Sequence, residues 1–118
     1  MFRRFIYMIE KNFELKRSFD NNKDITKDDI DLYIKQGATI IDVRSPQEYS
    51  EGHLDGAILL SEYEVNKKYK NYLKDKEEKI VVYCSSGVRS KKAQKSLIKK
   101  GYKKVYNLLG GIEKSENW

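Results

Sequence analysis

The chain has 118 residues, which is the size of one domain. Hydrophobic residues make up 39% of it, so it can bury a core, and extensive disorder is excluded although 36% of the residues are charged. No stretch approaches the roughly 18 consecutive apolar residues of a membrane span, and a single cysteine excludes internal disulfides and cysteine-rich zinc sites.

The net charge of +6 is unevenly distributed along the chain. Residues 21–60 hold four basic and eight acidic side chains, whereas residues 61–118 hold fifteen basic and seven acidic ones. A basic field favours anionic partners, from small sulfur oxyanions to nucleic acid. Because the lysine runs lack interleaved aromatic residues on one face, they indicate a solvated surface, and no nucleic-acid partner is expected.

Residues 1–20 predict an amphipathic helical extension that precedes the domain. Apolar side chains recur there at steps of three and four residues: Phe2, Phe5, Ile6, Ile9 and Phe13. The apolar patch is too short for a secretory signal and Glu10 interrupts it, so we expect a retained segment and a cytoplasmic protein. Packing on the domain or on a second subunit is favoured over membrane anchoring, because the stretch is short and carries acidic residues.

The predicted domain, residues 21–118, begins with a helix and a buried strand. Thr26 is typical of the residue that caps a helix start, and the helix is expected to run to Gln36. Gly37 supplies a left-handed stop. The β-branched run at 38–43 then predicts a buried strand.

A short helix, a strand and a longer helix follow. Ser45 and Pro46 are typical of a helix start, and Gly52 ends that helix soon afterwards. The apolar run 57–60 predicts a strand, and Ser61 with Glu64 predicts the start of the next helix. The buried face of that helix is predicted to contain Tyr63, Val65, Tyr69, Tyr72 and Leu73.

The last part of the chain predicts two further strands and two helices. Residues 80–83 are the most β-prone run, and a helix is expected from Arg89 to Lys100. Its inner stripe is predicted to be Ala93, Leu97 and Ile98. A strand at 105–108 and a short helix at 112–118 complete the pattern. Strands separated by helices predict an α/β fold with a parallel sheet, right-handed crossovers and helices on both faces.

The candidate site lies where the strand ending at Tyr83 meets the following helix. Open parallel sheets bind ligands at the carboxyl ends of their strands, and Cys84 occupies that position. A glycine-bearing polar loop can turn its N–H groups inward as an anion-binding nest, to which the helix adds the positive end of its dipole. The candidate catalytic residue is therefore Cys84, and the candidate substrate-binding residues are Ser85, Ser86, Gly87, Val88 and Arg89.

The position of Cys84 in this nest predicts a reactive thiol. The loop N–H groups, the helix dipole and the Arg89 guanidinium favour the thiolate, so its pKa is expected below the free value of about 8.5. The alternative is an inert core cysteine, which needs neither a glycine-bearing polar loop nor an arginine. Local sequence leaves the reaction open, because sulfur transfer and phosphoryl transfer both use a thiolate in an anion cradle.

Four motifs, in order and spacing, resemble those of single-domain rhodaneses, the thiosulfate sulfurtransferases. They are Cys-Ser-Ser-Gly-Val-Arg-Ser at 84–90, Ile-Asp-Val-Arg at 41–44 with Glu-Tyr at 48–49, Gly-His-Leu-Asp-Gly-Ala at 52–57, and Leu-Gly-Gly at 109–111. The resemblance covers residues 24–118 and implies a rhodanese-like α/β domain with a central five-stranded parallel sheet. It also implies that Cys84 takes sulfur from thiosulfate or a similar anionic donor, releases sulfite, and passes the sulfur to cyanide, a thiol or a protein.

The resemblance further implies roles within the loop. The amides of residues 85–89 would cradle the donor anion while Arg89 offsets its charge, and no metal or organic cofactor is implied. Four residues separate Cys84 from Arg89, whereas related phosphatases have five, so the loop length favours sulfur transfer. The single histidine, His53, belongs to a motif that packs the fold and is not expected to be catalytic.

Two further expectations concern charged side chains and release of the sulfur. Asp42 is expected to pair with Arg44 near the core, with Glu48 as a further partner for Arg44. With no second cysteine, a persulfide needs an external acceptor.

A second class of function is a persulfide carrier that docks on a protein partner, with the lysines of 91–104 as a docking surface. Their simpler interpretation is a solvated helix face, and the sequence does not specify the oligomeric state.

Overall fold

The computed structural model of the chain describes residues 23–112. Its strands are Asp24–Ile25 (β1), Thr39–Asp42 (β2), Ile58–Leu59 (β3), Lys79–Tyr83 (β4) and Lys104–Leu108 (β5). All neighbours pair in parallel, in the order β1-β5-β4-β2-β3, which confirms the five-stranded parallel sheet. The predicted extension at 1–20, and residues 113–118 of the predicted C-terminal helix, lie outside the described residues.

Helices cover both faces of this sheet, as the α/β pattern predicts. They are Lys27–Lys35 (α1), Pro46–Ser50 (α2), Val65–Tyr72 (α3) and Val88–Lys99 (α4). One apolar core includes Val65 of α3 and Leu97 of α4, and a second core, on the other face, includes Ile30 of α1. Within residues 23–112, no helix is long and apolar enough to cross a membrane.

The residue pattern does not predict strand β1. Its two residues, Asp24 and Ile25, pair with Asn107 and Leu108 of β5. A two-residue strand is too short to show an alternating pattern, so the sequence gives no local sign of it. The strand forms because β5 offers a free edge and because Ile25 is buried there, only 5% exposed.

The start of α3 differs from the prediction. Ser61 makes no cap to the helix, and its hydroxyl instead donates to the Arg44 carbonyl at 2.7 Å. A 3-10 turn at Glu62–Glu64 precedes α3, and its tighter winding changes which side chains face the core. Tyr63 and Tyr72 are consequently 66% and 41% exposed, so their predicted burial is wrong. The inner face of this region is formed by Val65, Tyr69 and Leu73.

The fold presents one tight loop at the carboxyl edge of β4. Because β4 ends at Tyr83 and α4 begins at Val88, the four residues from Cys84 to Gly87 must reverse the chain direction. Gly87 has a φ of +99°, a left-handed conformation that side chains disfavour.

The turn after β5 supports this loop from behind. The Ile112 N–H donates to the Cys84 carbonyl at 3.1 Å. Gly111 has a φ of +68°, and a Cβ added there would collide with the Ser85 backbone and lie 2.6 Å from the Cys84 oxygen. The close approach of two backbones thus requires glycine at 111.

We predict that Gly111→Ala destabilises the protein far more than Gly110→Ala. Gly110 also has a positive φ, +80°, but a Cβ there meets nothing within 4 Å. Gly110→Ala should therefore cost about 1 kcal/mol for the backbone conformation alone. Gly111→Ala should cost about 2 kcal/mol more, because the loop must shift. Urea unfolding of both variants measures the difference, and equal stabilities would contradict the proposed contact.

Candidate active site

The sulfur of Cys84 lies at the centre of the loop and is fully buried. The N–H groups of Gly87 and Ser90 donate to Sγ at 3.1 and 3.3 Å. Gly87, the residue before α4, has no side chain that could cap the helix. Cys84 Sγ instead accepts the N–H of Ser90, the third residue of α4, as a capping oxygen would. The sulfur therefore sits at the positive end of the helix dipole.

Burial and hydrogen bonding act in opposite directions on the Cys84 thiol. Burial raises its pKa, whereas hydrogen bonds from the Ser90 hydroxyl and from the N–H groups of Ser90, Gly87 and Ser86 lower it. The hydrogen bonds prevail, and the pKa lies below its usual value, in the direction that the sequence predicts. The Ser90 hydroxyl is the side chain that lowers it most, and the charge of Arg89 also interacts with Cys84, as the sequence predicts.

A buried chain of polar contacts leads away from the sulfur. Ser90 Oγ lies 3.3 Å from Cys84 Sγ and 2.5 Å from Asn107 Oδ1, so its single hydroxyl hydrogen faces two acceptors when Cys84 is a thiolate. Asn107 Nδ2 donates in turn to Asp24 Oδ1 at 3.4 Å, and Lys91 Nζ lies 2.8 Å from the same oxygen. From the sequence, Ser90 is recognisable only as the end of a motif, and Asn107 is not predicted to belong to the site. The signal that could have identified Asn107 is a polar residue near the end of an otherwise apolar strand.

Glu48 forms an ion pair with Arg89, and its charge also acts on Arg44, the predicted partner. Arg89 Nη1 and Nη2 donate to Glu48 Oε1 and Oε2 at 2.8 and 3.1 Å. Glu48 also accepts from the Ser45 N–H at 2.9 Å and from the Ser85 hydroxyl at 3.3 Å. The hydrogen bonds from Arg89 and from the Ser45 backbone hold the pKa of Glu48 far below its usual range. Glu48 therefore lies across the loop as a carboxylate.

The expected ion pair between Asp42 and Arg44 is present. Arg44 Nε lies 3.0 Å from Asp42 Oδ1, and Arg44 Nη2 lies 2.8 Å from Asp42 Oδ2. Arg44 Nη2 also donates to the Gly52 carbonyl at 2.6 Å. His53 stacks on Tyr49, with ring centroids 3.8 Å apart, and its Nδ1 bonds the Tyr49 carbonyl. These contacts hold the chain between α2 and β3.

The remaining candidate residues line the outer side of the loop. Ser86 is exposed, and the Val88 side chain is 66% exposed. A groove of about 410 Å³ runs beside the loop. It is lined by Ser86, Gly87, Val88, Lys91, Lys92, Asn107, Leu109 and Gly110. The six candidate residues thus form the loop and the first two positions of α4. Within residues 23–112, no group of three or more His, Cys, Asp or Glu is placed to hold a metal ion.

Two curated proteins show what this sequence is similar to. Thiosulfate sulfurtransferase GlpE of Coxiella burnetii is 35% identical over 83 residues, which are 70% of this chain and 76% of that protein. A tRNA uridine(34) hydroxylase of Acinetobacter baumannii is 35% identical over 89 residues, covering 71% of this chain but only 28% of the hydroxylase.

Solved structures and a family model agree with these similarities. A rhodanese-related protein from Thermoplasma volcanium superposes with a TM-score of 0.69 at 30% identity, covering 77% of this chain and 87% of that one. A structure described as rhodanese with anions, from E. coli, has a TM-score of 0.61 at 34% identity and covers 65% of this chain and 91% of that one. Residues 26–117 match the family model of the rhodanese-like domain. With the fold, the motifs and these matches in agreement, the chain belongs to the rhodanese-like family.

Proposed function

We propose that this protein is a sulfurtransferase that carries a sulfane sulfur on Cys84. The donor is thiosulfate or a similar small anion, and the acceptor is cyanide, a thiol or a protein. The observation that carries this proposal is the Cys84 sulfur held by the N–H groups of Gly87 and Ser90. These contacts favour the thiolate, which is the nucleophilic form. The similarity to a thiosulfate sulfurtransferase supports the choice of donor.

The first half of the reaction is attack by the Cys84 thiolate on the outer sulfur of the donor. A new S–S bond forms, the S–S bond of thiosulfate breaks, and sulfite leaves with the electron pair. The loop N–H groups that stabilise the thiolate also stabilise the charge on the resulting persulfide. Val88 and Arg89 lie in the first turn of α4, where N–H groups have no acceptor within the helix, so they are available to the oxygens of the donor.

The second half returns Cys84 to its starting form. A thiolate or cyanide acceptor attacks the outer sulfur of the persulfide, and the Cys84 thiolate leaves with the electron pair. The same hydrogen bonds that lower the thiol pKa make it a good leaving group. No metal or organic cofactor takes part in either step.

Phosphoryl transfer fits the loop less well. A phosphatase needs an acid that protonates the leaving group, and Glu48 is the carboxylate that contacts the loop. The low pKa of Glu48 leaves it ionised near neutral pH, so it has no proton to donate.

A second candidate, a persulfide carrier that docks on a protein partner, is favoured by the surroundings of the loop. Val88 and Leu109 are exposed apolar side chains, 66% and 55%, and both line the groove beside it. Lys92 lines the same groove, so an acidic and partly apolar partner fits this surface. The two candidates share the Cys84 persulfide and differ in which donor supplies the sulfur.

We predict that incubation with thiosulfate adds one sulfur atom to the protein and that the Cys84→Ser variant gains none. The chain has a single cysteine, so intact-mass spectrometry assigns the sulfur without ambiguity. A gain on both proteins would contradict a Cys84 persulfide. Uptake from a cysteine-desulfurase-type persulfide with none from thiosulfate would identify the carrier. No uptake from either donor, together with hydrolysis of an aryl phosphate, would overturn both candidates.

We predict that Ser90→Ala slows persulfide formation at neutral pH and that the rate recovers in alkaline solution. Loss of the hydroxyl contact to Sγ should raise the thiol pKa. Because a hydrogen bond to a charged group contributes about 1.5 kcal/mol, the uptake rate at neutral pH should fall about tenfold. The measurement is the rate of sulfur uptake against pH. Ser96→Ala is the control, because Ser96 lies on the same helix but bonds Asn66. A deficit that persists equally at all pH values would contradict this role.

A further inference from the structure

The Glu48 carboxylate is paired with the Arg89 guanidinium, which lies close enough to Cys84 for their charges to interact. Both terminal nitrogens of Arg89 donate to it, and the Ser85 hydroxyl of the loop is a further donor. An anionic donor that contacts Arg89 must therefore displace this carboxylate or share the guanidinium with it. The side chains of Arg89 and Glu48 are 38% and 32% exposed, so solvent can reach the pair and opening it has a modest cost.

Glu48 cannot move far when Arg89 is released. Its backbone lies in the first turn of α2, and its carboxylate accepts the Ser45 N–H in a capping box with the Ser45 hydroxyl. The negative charge thus stays beside the loop while a donor is bound. A fixed negative charge repels a donor more strongly the more negative charge the donor brings.

We propose that Glu48 is a specificity-determining residue, which competes with the sulfur donor for Arg89 and selects against donors of higher negative charge. This inference rests on the proposed sulfur transfer and adds to it a preference between donors. Thiosulfate carries two negative charges, whereas methanethiosulfonate has a methyl group in place of one charged oxygen and carries one. With either donor, the Cys84 thiolate forms a bond to the outer sulfur, the donor S–S bond breaks, and sulfite or methanesulfinate leaves with the electron pair.

Glu48→Gln removes the charge with little change of structure. Glutamine serves in a capping box as glutamate does, so α2 keeps its cap. Glu51→Gln is the matched control, because Glu51 is exposed at the end of the same helix and its carboxylate contacts Gln47 rather than the loop. Both variants change the net charge equally.

The test measures binding of both anions in the Cys84→Ser background, where no sulfur is transferred. Chemical-shift titration of the amides of residues 85–89 gives the two dissociation constants. We expect Glu48→Gln to tighten thiosulfate binding about threefold or more relative to methanethiosulfonate. Glu51→Gln should leave that ratio unchanged, and added salt should reduce the effect of Glu48→Gln.

Equal tightening for both anions, no tightening, or the same change in the Glu51→Gln protein would overturn the role of Glu48. Binding of neither anion in any variant would overturn it as well, since no donor would then compete for Arg89. Persulfide formation by the protein with its cysteine intact is measured separately. A result against charge selection by Glu48 would therefore leave the proposed sulfur transfer intact. Failure of persulfide formation would be detected separately from the binding result.

Discussion

The site depends on one constraint, that the Cys84 sulfur serves as hydrogen-bond acceptor for the start of α4. Its contacts with the N–H groups of Gly87 and Ser90 require the chain to turn within four residues of the end of β4. Gly87 permits that turn through its positive φ, and Gly111 permits the close approach of the turn behind it. A favoured thiolate is therefore a direct consequence of how this fold joins a strand to a helix.

Two pairs of polar residues surround this sulfur, one on its buried side and one on its exposed side. On the buried side, Ser90 and Asn107 form a fully enclosed chain of hydrogen bonds, which fixes the hydroxyl beside Sγ. On the exposed side, Glu48 and Arg89 form a half-exposed ion pair that a donor can open. The buried contacts thus set the reactivity of the thiol, whereas the ion pair influences which sulfur donors bind beside the thiol.

Local sequence predicts the parts of this structure that depend on neighbouring residues. The cap at Ser45, the glycine in the loop and the apolar strand before Cys84 are each recognisable from a few adjacent positions. The features that the residue pattern did not reveal depend on distant partners. Strand β1 exists because of β5, and the ion pair of Glu48 with Arg89 joins residues 41 positions apart in the sequence. No spacing rule along the chain identifies such a partner.

Titration of the Cys84 thiol shows whether the fold stabilises its thiolate. The ultraviolet absorbance of the thiolate is followed against pH in folded and urea-unfolded protein, with the Cys84→Ser variant as a blank for the tyrosines. We expect a pKa in the folded protein below the unfolded value of about 8.5, because the loop hydrogen bonds exist only in the fold. An equal or higher pKa in the folded protein would contradict this expectation.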